Sequence, residues 1–269
     1  MKYDPIKKSL GKVFNKSPFL RKLFYNLLDL LLLRAWHIKK ELRKIRREFG
    51  DNITILDAGS GFGQYSYYMS GMNKTWKVDG ADLKKEQIED CNAFFKTIGR
   101  DDRVKFFEAD LTKYKAPEKY NLILSVDVME HIEEDVEVFK NFHESLKAGG
   151  ILLISTPSDM GGSEVHDEDD ESFIEEHVRE GYNENAIHDK LHYAGFSHVF
   201  THYSYGTPGK ISWKLSMKYP IVILNISKLF FIILPFYYLI AYPISFVLNK
   251  MDVARTHKTG TGLIVKALK

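Results

Sequence analysis

The sequence has little cysteine: a single one, Cys91, among 269 residues. That excludes an intrachain disulfide and makes a reducing compartment the expected setting. Acidic residues are scarce at both ends. Residues 207–269 hold one acid, Asp252, against nine Lys and Arg, and residues 1–50 hold four acids against 14 bases. Residues 51–206 reverse the balance with 31 acids and 15 bases, so the net charge of +2 conceals an acidic middle between two basic ends. Ends of this kind fit contact with anionic lipid head groups. No apolar core and small-residue cleavage site follow Lys2, Lys7, Lys8, Lys12 and Lys16, so no secretory signal is expected and the cytoplasmic side is the expected location. Internal repeats are absent too. What is present is ample apolar material, 44% of residues, enough for a large core.

Four segments are expected. Residues 1–50 form a basic, amphipathic helical stretch, with one helix from about Pro18 to Arg47 that carries Leu27, Leu28 and Leu30–Leu33 before its cluster of Lys and Arg. Residues 51–206 alternate short apolar runs with helical text, the signature of βαβ units on a parallel sheet. Five forward strands are predicted at Ile53–Asp57, Trp76–Ala81, Val104–Glu108, Leu122–Ser125 and Gly150–Ser155. Two more follow at His198–Tyr205 and Gly262–Leu268, the second within residues 261–269. Residues 207–260 separate them as an apolar insert.

The insert contains Leu229–Leu248, 20 residues without a charge. Length alone would allow a membrane span. If the strands before and after it share one sheet, however, both lie on one side of a bilayer and a single crossing is excluded. Pro220, Pro235 and Pro243 favour short helices at a membrane interface, a monotopic or peripheral attachment, over a straight rod. Lys210, Lys214, Lys218, Lys250, Arg255 and Lys258 flank it with positive charge. A buried subdomain or dimer contact is the competing explanation.

The most informative string is Asp57-Ala58-Gly59-Ser60-Gly61-Phe62-Gly63, a strand running through a glycine turn into a helix. Gly59, Gly61 and Gly63 permit close approach of backbone to a ligand. A dinucleotide fingerprint would need glycine where Gln64 stands, and Asp57 is unwelcome beside a diphosphate. A ligand bearing an ammonium and a sulfonium fits the acid better. Asp82, followed by Leu83, ends the second strand where a carboxylate can take ribose hydroxyls. Asp110 ends the third, where it can accept from an adenine amino group beside Leu111. Three acids at successive strand ends behind a glycine turn form one constellation.

With these residues the sequence resembles the class I S-adenosylmethionine-dependent methyltransferases, over about Ile53–Tyr205 and the final strand. The resemblance implies an α/β, Rossmann-like sheet of seven strands with the last antiparallel, an N-terminal helical extension, and the apolar insert between strands six and seven at the ligand-binding edge. It implies S-adenosylmethionine as cofactor, with S-adenosylhomocysteine as product. Asp57, Gly59, Ser60, Gly61, Gly63, Asp82, Leu83, Asp110, Leu111 and Asp127 are the implied binding residues. The string Asp127-Val128-Met129-Glu130-His131 is similar to that of ubiquinone-type O-methyltransferases. Some of those hold Mg²⁺ with the corresponding acids and histidine, here Asp127, Glu130 and His131, but metal-free relatives share the string and no metal is the favoured expectation. His131, His177 and Tyr182 are candidate catalytic residues, the histidines as bases toward an acceptor hydroxyl. The greasy insert implies a lipophilic small-molecule acceptor at the cytoplasmic membrane face. A membrane-tethered binding scaffold without turnover is the alternative. No nucleic-acid partner is expected, because the basic segments border apolar runs and no Asn/Asp-Pro-Pro-Tyr/Phe string appears.

Overall fold

The computed structural model describes residues 17–160 and 178–269. The N-terminal extension is two helices where one was expected. Helix α1 (Pro18–Leu31) starts from Ser17, whose hydroxyl accepts the Leu20 amide at 3.2 Å, with proline in its first turn. Leu32 then adopts extended backbone, φ −93° and ψ 107°, with its side chain buried. The break lets α1 and helix α2 (Leu33–Phe49) bury different faces, and Gly50, at φ 64°, ends the pair.

The sheet follows: β1 (Thr54–Ala58), helix α3 (Gln64–Met72), β2 (Lys77–Asp82), helix α4 (Lys85–Thr97), β3 (Val104–Glu108), β4 (Tyr120–Val126), a 3₁₀ turn at Met129–His131, helix α5 (Asp135–Ser145), β5 (Leu146–Pro157), helix α6 (Glu184–Tyr193), β6 (His198–Ser204) and β7 (Gly262–Leu268). Spatial order is β3-β2-β1-β4-β5-β7-β6. The first five strands pair in parallel, while β7 runs antiparallel to both β5 and β6. This is the expected seven-stranded, Rossmann-like architecture. Apolar side chains fill both faces, as parallel strands require: Leu56, Ile123 and Leu152 pack on one side, Ile55, Leu124 and Leu153 on the other.

The insert is helical and leaves the sheet at its carboxyl edge. Helix α7 (Thr207–Trp213) passes through a π turn (Lys214–Lys218) into α8 (Tyr219–Ile226), a 3₁₀ turn (Lys228–Ile232) and α9 (Leu234–Ala254). Pro220 and Pro235 occupy first turns, where a missing N–H costs nothing, but α9 continues through Pro243. The expectation that Pro243 interrupts the helix is therefore corrected: α9 runs on from Leu234 to Ala254 with Pro243 on its exposed side. Among the described residues no helix is long and apolar enough to cross a membrane.

One buried carboxylate ties these parts together. Asp252 of α9 accepts from the Gly209 amide at 3.0 Å and the Tyr205 amide at 3.2 Å, and pairs with His37 Nε2 of α2 at 2.8 Å and His257 Nε2 at 3.2 Å. Burial alone pulls this carboxyl upward, yet the His37 contact, the His257 charge and the Gly209 amide hold it below its ordinary value.

Candidate active site

The glycine turn joins β1 to α3 above the centre of the sheet. Gly59 (φ 78°), Gly61 (φ 50°) and Gly63 (φ 75°) all take left-handed backbone. They differ in surroundings. A Cβ on Gly59 would lie 2.2 Å from Val128, whereas one on Gly61 would meet nothing within 4 Å. The backbone at Gly61 thus faces open space. Ser60 beside it is buried, and its hydroxyl has no partner among the described residues. A buried hydroxyl without a partner is uncommon, and this one lies beside an open glycine at the turn.

Asp82 holds this turn from the sheet side: its Oδ2 accepts the Gly61 amide at 2.8 Å and its Oδ1 the Lys84 amide at 2.9 Å. Asp57 lies deeper. It is buried and accepts the Ser66 hydroxyl at 2.6 Å in the first turn of α3. Burial pushes its carboxyl up to about 6 despite the Ser66 hydrogen bonds. Through the Ser66 bond it ties the end of β1 to the first turn of α3. Asp110 is turned onto its own loop, accepting from Thr112 and pairing with Lys113 at 3.1 Å. Leu111 is buried in the core and Leu83 stands exposed at the carboxyl edge.

Asp127 ends β4 with φ 52° and pairs with Arg34 from the first turn of α2. The Arg34 amide also donates to the Tyr205 hydroxyl at 3.1 Å, where β6 enters the insert. Burial pushes the Tyr205 phenol up to about 12. Beside this group, the buried Tyr65 hydroxyl has no partner among the described residues, and burial raises it far above its usual value, with Arg34 opposing and Asp127 reinforcing. Glu130 is buried too, accepting from Thr156 at 3.1 Å. Burial, then the Asp127 charge, hold its carboxyl well above the ordinary range. The carboxyl edge of β4 therefore gathers Arg34, Asp127, Glu130, Tyr65 and Tyr205. Sequence reasoning overlooked Arg34, Tyr65 and Tyr205. Their signals were an arginine inside an apolar helical run, an aromatic just behind the glycine turn, and a tyrosine at a strand end.

The remaining candidates separate. His131 is exposed on the 3₁₀ turn at the end of β4. His177 lies outside the described residues, as does the acidic run Glu164–Glu171. Tyr182 departs from its expected catalytic place: its hydroxyl is buried, donating to Asp135 Oδ2 at 2.7 Å, and Arg179 contacts it as well. A phenol so engaged holds α5 against the β5–α6 connection rather than meeting an acceptor. Asp127 and Glu130 are neighbours at the edge of β4, but no group of three His, Cys, Asp or Glu among the described residues is arranged to hold a metal ion. Asp127 faces Arg34 instead.

A doubly wound sheet with a reversed last strand, carrying an acid-held glycine turn at its carboxyl edge, defines an α/β protein built to take a nucleoside-bearing cofactor. Residues 49–213, more than half of the chain, match the methyltransferase-domain family, and the chain belongs to it. Phosphoethanolamine N-methyltransferase 1 of Zea mays is 33% identical over 146 residues, covering 54% of this chain and 28% of that protein. Ubiquinone biosynthesis O-methyltransferase of Rickettsia canadensis is 25% identical over 121 residues, covering 44% of this chain and 50% of that protein. The match thus spans at most half the length of either relative. Phosphoethanolamine N-methyltransferase 2 of Haemonchus contortus, solved with S-adenosyl-L-methionine, superposes with a TM-score of 0.59 at 18% identity, covering 91% of this chain and 60% of that one. At that identity the likeness shows the fold.

Proposed function

We propose that this methyltransferase moves a methyl group from S-adenosylmethionine to a lipophilic small molecule, such as a quinone precursor, polyene or lipid, at the cytoplasmic membrane face, with oxygen as the favoured acceptor atom. One observation carries the acceptor class. The insert rooted at the ligand-binding edge leaves Ile226, Leu229, Phe231, Ile232, Phe236, Leu239 and Ile240 exposed, most of them by two-thirds or more. Soluble surfaces rarely leave so much contiguous chain apolar without a use for it. Basic residues border it, and each cation near an anionic surface contributes about 1 kcal/mol.

The turn fits an adenosyl cofactor. The Ser60 hydroxyl has no partner among the described residues, Gly61 faces open space, and Asp82 is already oriented by two amides. Ser60, the Gly59–Gly63 backbone and Asp82 would hold it, with Asp110, Leu83 and Leu111 on the adenine side. When bound, the cofactor supplies an electrophilic methyl on a sulfonium. The chain's part is to align an acceptor in a site that excludes water and to receive a proton from it. His131, exposed at the end of β4, is the base proposed for an acceptor hydroxyl. His177 stays a second candidate. The name of the maize relative, an N-methyltransferase, favours a second reading in which the acceptor is an amine near Asp127 and Glu130.

Incubation of the protein with methyl-labelled S-adenosylmethionine and a membrane lipid extract, followed by mass spectrometry, tests this. A lipid-phase product heavier by one labelled methyl is expected, and its fragmentation locates the acceptor atom. Label appearing only in water-soluble products would overturn the acceptor class, and no transfer at all would leave the scaffold alternative.

A further inference from the structure

Helix α1 has two unlike faces, and the buried one grips the glycine turn. Arg21 and Tyr25 are almost fully buried. Arg21 Nη2 donates to the Phe62 carbonyl at 3.0 Å and to Cys91 Sγ at 3.0 Å, Nη1 donates to the Asp90 carbonyl at 3.0 Å, and Nε donates to the Tyr25 hydroxyl at 2.8 Å. The Tyr25 hydroxyl donates to the same Phe62 carbonyl at 2.5 Å. Gln64, the first residue of α3, donates to Asp29 at 2.7 Å, and the Phe24 ring meets Phe62 edge-on at 5.9 Å. Phe62 lies between Gly61 and Gly63. The turn is therefore pinned twice, by Asp82 from the sheet and by α1 from outside.

The opposite face is bare. Phe19, Leu23, Leu27 and Leu30 are exposed, Phe19 by 73%. At 100° per residue these four fall within a narrow arc, with Arg21, Phe24, Tyr25 and Leu28 on the far side. Exposed Lys22 borders the stripe, and the segment around it carries the basic excess of residues 1–50. An apolar stripe on a basic helix fits the plane of an anionic lipid surface. A seated α1 already presents that stripe outward. Lipid contact then needs no unseating, whereas extraction would strip the Phe62 and Asp90 carbonyls of the buried guanidinium.

Building on the membrane reading above, we infer that α1 couples the lipid surface to the cofactor turn: lipid bound to the stripe holds α1 seated, and a seated α1 holds the turn in its ligand-binding form. Arg21 and Tyr25 are positioning residues in this device. Linkage is reciprocal, so lipid tightens nucleoside binding by the factor by which the nucleoside tightens lipid binding.

Titration calorimetry with S-adenosylhomocysteine, with and without vesicles of phosphatidylglycerol and phosphatidylcholine, measures one arm. Vesicle sedimentation with and without S-adenosylhomocysteine measures the other. Equal gains of about twofold are expected, because lipid adds only to a seating that the buried contacts already favour. Leu23→Gln with Leu27→Gln should abolish the gain while leaving lipid-free S-adenosylhomocysteine affinity and the melting temperature near wild type. Arg21→Met should weaken lipid-free affinity and remove the coupling, with partial recovery in Arg21→Lys. Vesicle binding without any change in S-adenosylhomocysteine affinity, or with a loss of it, overturns the coupling alone. Absence of vesicle binding overturns the membrane reading and the coupling with it, as does a stripe-dependent dimer seen by light scattering in place of vesicle binding.

Discussion

At the scale of single residues, the glycine turn separates a packing requirement from a binding requirement. Gly59→Ala drives a methyl into Val128 from a left-handed backbone and should lower the melting temperature steeply. Gly61→Ala has room, and its backbone penalty is about 1–2 kcal/mol, but the methyl would occupy the space in front of the turn. Calorimetry should show S-adenosylhomocysteine affinity falling at least tenfold in Gly61→Ala while the fold persists. Tyr182→Phe should cost about 1–3 kcal/mol in denaturant unfolding, because Asp135 loses a buried donor, with no change in nucleoside affinity. A large loss of turnover at unchanged stability would restore Tyr182 to the acceptor site. Glu130 supplies a pH signature. Its carboxyl is raised in the folded state, so the folded protein retains a proton that the unfolded chain releases. Stability is full below the ordinary carboxylate range and declines as pH rises from there toward the raised value. Glu130→Gln should flatten that decline and be more stable than wild type on its alkaline side, as read from melting temperature against pH.

At the scale of elements, the fold depends on how the extension and the insert meet the sheet. Asp252 is the common fastening for α2, α7, α9 and the end of β6. Asp252→Ala leaves His37 and two backbone amides without their acceptor and should destabilise the protein by about 3–5 kcal/mol. Limited proteolysis should then cut first within residues 207–260. The strands were legible from alternating apolar runs and glycine turns: β3 and β7 have the expected ends, and the others lie within two residues of expectation except at β5, which starts four residues earlier. The break at Leu32 was not legible, since nothing in the leucine-rich run marks it. It arises because α1 must reach Phe62 while α2 reaches Asp127 and Asp252. Pro243 inside α9 likewise went against local preference, because the loss of one backbone hydrogen bond is outweighed where the helix is fastened to α7, as through the Ser212 hydroxyl on the Ser245 carbonyl.

At the scale of the whole molecule, charge and greasiness concentrate away from the acidic middle, so lipid binding should be electrostatic as well as apolar. Raising ionic strength should weaken vesicle association, and Leu239→Gln with Ile240→Gln should weaken it further at any salt. Insensitivity to both would separate the apolar surface from a lipid role. The sequence by itself marked the strand segments along the chain, the glycine turn and the acids at the strand ends, because periodicity and turn chemistry act over a few residues and leave a local imprint, while the seven-stranded sheet with its reversed last strand was implied by the family resemblance. Only the tertiary structure decided which of those groups face a ligand. It buried Asp57 beneath α3, locked Tyr182 to Asp135, and brought Arg34 and Arg21 from the extension to the carboxyl edge. Contacts between residues tens of positions apart depend on how helices lie across the sheet, and no local pattern encodes that.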